Sequence, residues 1–170
     1  GDINYILSNA IDVDAAAALV AKVSSNGSTD FTNGISDTFD KYVNSSTDAT
    51  GLSTNFTNVK AADSNAPVAI STTLTTAAHV KALNALAANY SGAITATVTS
   101  TEAILDDITG SLLNTTVTVT DDVSIAEYDI IKATTANAVQ FDDTTGMIKD
   151  SIGNLYSATG TNKRVTSLNN

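Results

Sequence analysis

Apolar residues in this chain alternate with threonine over short runs, then switch to helical spacing, and the switch repeats. In Ile94-Thr95-Ala96-Thr97-Val98 and Val117-Thr118-Val119-Thr120 the period is two. β-branched residues at that period predict strands. Behind them the apolar positions fall three or four apart. Examples are Val80, Leu83 and Leu86; Ile104, Leu105, Ile108 and Leu112; and Ile125, Tyr128 and Ile131. Each set predicts an amphipathic helix facing its own strand. Four strand–helix units follow: 69–71 into 76–88, 94–99 into 101–112, 117–121 into 124–133, and 139–142 into 146–155. Counted from Ile70, Ile94, Val117 and Val139, they repeat at 24, 23 and 22 residues. A near-constant period in this range predicts units that bury their apolar faces by stacking on neighbours. Consecutive strands joined by a helix are parallel, with right-handed crossovers. The expected fold is α/β, a right-handed parallel β/α solenoid resembling a leucine-rich-repeat stack.

The first 66 residues give looser versions of the same unit, or a cap on it. Asn4–Ser8 predicts a strand, and the alanine-rich run 15–23 is the strongest helix by propensity. Residues 31–35 predict a strand leading into a short helix at 38–43. Residues 55–60 read as a strand, and 61–66 as a loop in place of a helix. Pro67 opens the next strand, where a missing N–H costs least. The expected organisation is therefore an irregular region 1–66, regular repeats 67–158, and a polar tail or incomplete repeat 159–170.

Composition changes this picture in three ways. Charged residues make up only 15%, and the net charge is −10, with glutamate only at Glu102 and Glu127. Aspartate is a poor helix former but a good cap and turn residue, which suits many short elements with many junctions. Eight Lys and Arg in the whole chain make no basic patch, which argues against nucleic acid and anionic membrane as partners. Without cysteine there is no disulfide framework and no thiolate chemistry. No run approaches a membrane span. Opening on Gly1, the chain reads as a processed product or an excised piece.

Residues 84–107 and 116–155 resemble the tandem repeats of very large secreted proteins of cyanobacteria and other marine bacteria. In these, a strand ends in Thr/Ser-Asp and an alanine-rich helix follows, as in Val117-Thr118-Val119-Thr120-Asp121-Asp122-Val123-Ser124-Ile125-Ala126-Glu127. The resemblance covers the C-terminal half well and the first 66 residues weakly, and the loop expected at 61–66 departs from it. It implies an extracellular structural or adhesive role and transfers no catalytic residue.

Candidate chemistry is sparse. His79 stands alone and has no partners placed by the sequence for a triad, so a surface or groove-lining role fits it better. The acidic pairs Asp12/Asp14, Asp106/Asp107, Asp121/Asp122 and Asp142/Asp143 are hard oxygen ligands in turns, the kind calcium uses. Helix capping is the favoured reading, because most of them sit beside helix ends. If calcium binds, Asp121, Asp122, Asp142 and Asp143 are its candidate ligands, since stacking brings equivalent junctions together. Paired carboxylates also serve glycoside hydrolysis, but a chain without Trp lacks the usual aromatic cleft. Asn26, Asn44, Asn55, Asn89 and Asn114 match the N-glycosylation triplet. Outward threonine rows could match an ice or polysaccharide lattice, but the array is clear only at 95–99 and 116–120, so the normal solvent face of a strand is the favoured reading.

The expectation is a non-catalytic subunit or module of an extracellular bacterial assembly: a surface layer, filament, sheath or giant adhesin. Its partners would be further copies of itself or adjacent repeats of a longer chain, with calcium at those aspartates as the one candidate cofactor. The alternative is an adhesion module that binds surface glycan or protein.

Overall fold

In a computed structural model, which describes residues 4–23, 27–46, 51–109, 114–151 and 155, strands and helices alternate as the hydrophobic pattern requires. The first part of the chain forms β1 (Asn4–Ile6), α1 (Val13–Val20), β2 (Ser28–Asp30), β3 (Ile35–Asp37), α2 (Phe39–Tyr42) and α3 (Thr54–Ala62). The rest forms β4 (Val68–Leu74), α4 (Ala77–Asn89), β5 (Ile94–Ser100), α5 (Glu102–Leu105), β6 (Thr116–Val119), α6 (Ile125–Ala133) and β7 (Val139–Phe141). Every pair of these strands is parallel. β1 and β2 form a two-stranded sheet, and β3-β4-β5-β6-β7 form a five-stranded sheet in chain order. The fold is α/β with a parallel sheet that is not curled.

The inward rows of the large sheet are apolar. Ile35, Val68 and Ile94 lie side by side, as do Leu74, Val98, Val117 and Val139. All but the half-buried Val139 are buried, and each such side chain contributes about 1.5–3 kcal/mol. The core runs on from Val13 in α1 to Ile131 in α6. Residues 35–37 thus join the sheet of the later repeats.

The register is less uniform than the sequence spacing implies. Asn4 pairs with Ser28 and Ile11 bridges to Ile35, both at an offset of 24. Ile94, expected to match Ile70, pairs with Val68, and Val117 pairs with Val98 instead of Ile94. An irregularity in β4 between Ala69 and Thr73 absorbs two residues, so the inward–outward alternation survives.

Several expected elements are corrected. Residues 55–60 are not a strand but part of α3, which also takes in 61–62. Ser53 caps it, accepting from the Phe56 N–H at 3.2 Å, and Phe56 and Val59 turn one face into the core. Burial of that face overrides the poor helix propensity of Thr and Asn. The loop expected at 61–66 is therefore confined to 63–66. Of the strand expected at 31–35 only Ile35 is in a strand, where it begins β3; residues 31–34 are a corner between β2 and β3, turned by Gly34 at φ +85°. The helix expected at 101–112 ends at Leu105, though 110–113 lie outside the described residues. Residues 146–150 do not begin a helix. Asp142 accepts from the Thr144 N–H at 2.9 Å in a turn, and Ile148 bridges in parallel to Val123. The expected strand at 163–166 and the tail 159–170 lie outside the described residues, as does Asn26.

Candidate functional site: the threonine face and the unit junctions

Strand alternation points a second set of residues away from the core. Ser36, Ala69 and Thr95 share one row, Thr73, Thr97 and Thr116 another, and Thr99, Thr118 and Gln140 a third. Thr73, Thr95 and Gln140 are exposed, and Thr97, Thr99, Thr116 and Thr118 half-exposed. Among the described residues, the hydroxyls of Thr73, Thr95, Thr97, Thr99 and Thr116 make no hydrogen bond within the protein. None of these outward positions carries a charge. Neighbouring rungs in a row are ~4.8 Å apart, the spacing of paired strands.

The aspartates work mainly at junctions between units. Asp12, before α1, accepts from the Ala15 N–H at 2.7 Å. Asp37 reaches back to the Val13 N–H at 3.0 Å, 24 residues earlier. Asp121 accepts from the Glu102 N–H at 2.9 Å and Asp150 from the Ile125 N–H at 3.1 Å. At α2 a hydroxyl serves instead, with Thr72 accepting from the Phe39 N–H at 3.2 Å. The first free N–H of one helix is thus satisfied by a side chain of the following unit, which ties helix capping to the contact between units.

The four candidate calcium ligands face different partners. Asp121 is occupied by Glu102 N–H, and Asp122 pairs with Lys149. Hydrogen bonds from Thr144 hold the Asp142 carboxyl below its usual range, and Asp143 is exposed. Among the described residues, no three His, Cys, Asp or Glu side chains are grouped so as to hold a metal ion. Burial, then the nearby Asp106, Glu127 and Asp121, raises Glu102. Glu127 is lowered by the Ser124 N–H and hydroxyl. Ser124 and Glu127 form a reciprocal capping box at α6, legible as Ser-x-x-Glu in the sequence.

His79 is half-buried at the start of α4. Its Nδ1 accepts from the Thr75 N–H at 3.2 Å, and its ring meets Phe39 edge-on at 6.2 Å between centroids. Both contacts are structural. Asn44, Asn55, Asn89 and Asn114 are exposed, and Asn55 donates to Asp14 at 2.8 Å.

Sequence reasoning missed Tyr42 and read Tyr90 as exposed, whereas both are buried. The Tyr42 hydroxyl sits 2.9 Å from the Ile35 carbonyl and 3.0 Å from that of Ala69, bridging adjacent strands from beneath. Tyr90 donates to the Ala66 carbonyl. Phe56 packs between them, with centroids 5.1 Å from Tyr42 and 5.0 Å from Tyr90. The buried rings form a column through the least regular part of the chain. The clue available beforehand was their concentration there, since Phe31, Phe39, Tyr42, Phe56 and Tyr90 all precede residue 91.

Two shallow hollows open elsewhere. One, about 420 Å³, lies between α1 and α3, lined by Ala17, Val20, Ala21, Asn58, Ala61 and Ala62. The other, about 280 Å³, surrounds the Lys41–Asp14 pair. No helix among the described residues is long and apolar enough to cross a membrane. No protein family, curated protein or solved structure matches the chain.

Proposed function

We propose that this chain is a β/α solenoid module of an extracellular structural assembly, and that it works by stacking units end to end, within one chain or between copies. The observation that carries the reading is the reach of its cross-chain bonds. The links Val13–Asp37, Phe31–Asp63, Phe39–Thr72, Asn84–Asp107, Tyr90–Ala66, Glu102–Asp121 and Ile125–Asp150 span 19 to 33 residues. Each joins a unit to the next one, and bonds of this reach are what a one-dimensional array of units requires. The Asn55–Asp14 bond, at 41 residues, crosses the irregular N-terminal part.

Such an array extends by the same bonds that build it. Among the described residues, β1 and β7 are outermost strands of their sheets. Ile6, on β1, is 77% exposed and Met147, beyond β7, is 53% exposed. A β1 edge of one copy set against the β7 edge of another would continue both the ladder and the apolar strip. A head-to-tail contact of this kind does not close, so it yields a filament.

The test is sedimentation velocity over a wide concentration range. The native chain should associate, and Gln140→Lys, which puts a charge on the edge strand, should suppress association while leaving the circular dichroism unchanged. A native chain that stays monomeric at every concentration would overturn stacking between copies.

A further inference from the structure

The threonine face has properties that stacking does not use. Its three rows cross the strands, each with one side chain per strand, on a parallel sheet that is not curled. Threonine is stiff at χ1, so its hydroxyls stand in fixed directions before any ligand arrives. Those of Thr73, Thr97 and Thr116 are unpaired within the described residues. The face is uncharged although the chain carries a net charge of −10.

We propose that this face binds an extended, neutral, β-linked polysaccharide, lying across the strands along the rows Thr73–Thr97–Thr116 and Thr99–Thr118–Gln140. The strand spacing of ~4.8 Å is close to the advance of one sugar along such a chain, so successive sugars meet successive strands. Each hydroxyl can both donate and accept, and a polysaccharide hydroxyl needs both. The uncharged rows fit a neutral polymer, while the negative field of the whole molecule repels an acidic one. No aromatic side chain stands on these rows, so single-chain affinity is low and retention on a solid comes from many faces held together. The inference rests on strand register and stands whether or not the chain forms filaments.

The full chain would be mixed with microcrystalline cellulose, with a polygalacturonate-coated solid of equal area, and with slowly growing ice. Depletion onto cellulose alone is expected. Thr97→Val with Thr116→Val should reduce it about tenfold, the effect of losing two hydrogen bonds. Circular dichroism and melting should stay as in the native chain. Thr73→Val, at an exposed position, gives a second variant, with a smaller loss. No retention on cellulose would overturn the proposal, as would equal retention by the variants or preference for polygalacturonate. Incorporation into ice that the variants lose would assign the face to ice instead.

Discussion

At single positions, backbone geometry sets the sharpest constraints. Gly34 has φ +85°, and a Cβ there would lie 2.6 Å from the Pro67 carbonyl oxygen. Ile35 N–H donates to that same carbonyl at 2.7 Å, so the oxygen cannot retreat without loss. Gly34→Ala should therefore lower unfolding free energy by roughly 2 kcal/mol or more, whereas Gly51→Ala, which meets nothing within 4 Å, should stay within about 0.5 kcal/mol of the native chain. Urea titration of the two variants checks both. A second residue-scale prediction concerns Tyr42, whose phenol burial pushes well above its usual range, with Asp37 adding to the effect. A raised phenol leaves stability at full strength below pH ~10 and takes it away as pH rises further. Tyr42→Phe should thus cost about 1 kcal/mol at neutral pH, through its lost hydrogen bond. It should also make unfolding less steep with pH above ~10, because one titrating group is gone. A steeper alkaline slope in the variant would contradict this.

Among the elements, capping and contact between units are one interaction. Asp37→Ala and Asp121→Ala each remove the acceptor for a helix N–H in the preceding unit. Each should cost about 1 kcal/mol in urea titrations, and by the same amount with or without calcium. A loss by Asp121→Ala seen only with calcium present would make that residue a ligand rather than a cap. Much of this level was legible in the sequence. Thr76 before α4 and Ser124 before α6 begin helices close to where the apolar spacing placed them. Alternation at 94–98 and 117–119 gave the strands and their two faces. Where it misled, packing outvoted local pattern. Residues 55–60 read as a strand, yet Phe56 and Val59, three apart, both reach the core from a helix. Gly146 passes so close to the Val119 carbonyl that a Cβ would lie 2.5 Å from it, and the chain there runs alongside β6 instead of coiling. Such contacts come from other units, and no local window contains them.

For the molecule as a whole, parallel order was readable from strand–helix alternation, but register was not. The pairing Val98–Val117 shortens one repeat and Val68–Ile94 lengthens another, and the irregular middle of β4 absorbs only two residues of that spread. The threonine rows could be foreseen strand by strand, while their alignment into three shared rows needed the register. The acidic pairs show the opposite. Their positions were plain, but Asp121, Asp122 and Asp14 find partners 19, 27 and 27 residues away, in neighbouring units, while Asp12 and Asp142 bond locally. The account of the whole molecule is an array whose units bond to their neighbours and whose outer strands can take up another copy. Negative-stain electron microscopy of the purified full chain at high concentration tests that most directly. Unbranched fibres one chain wide, growing longer with concentration, are the predicted result. Discrete particles of single-chain size at every concentration would contradict it.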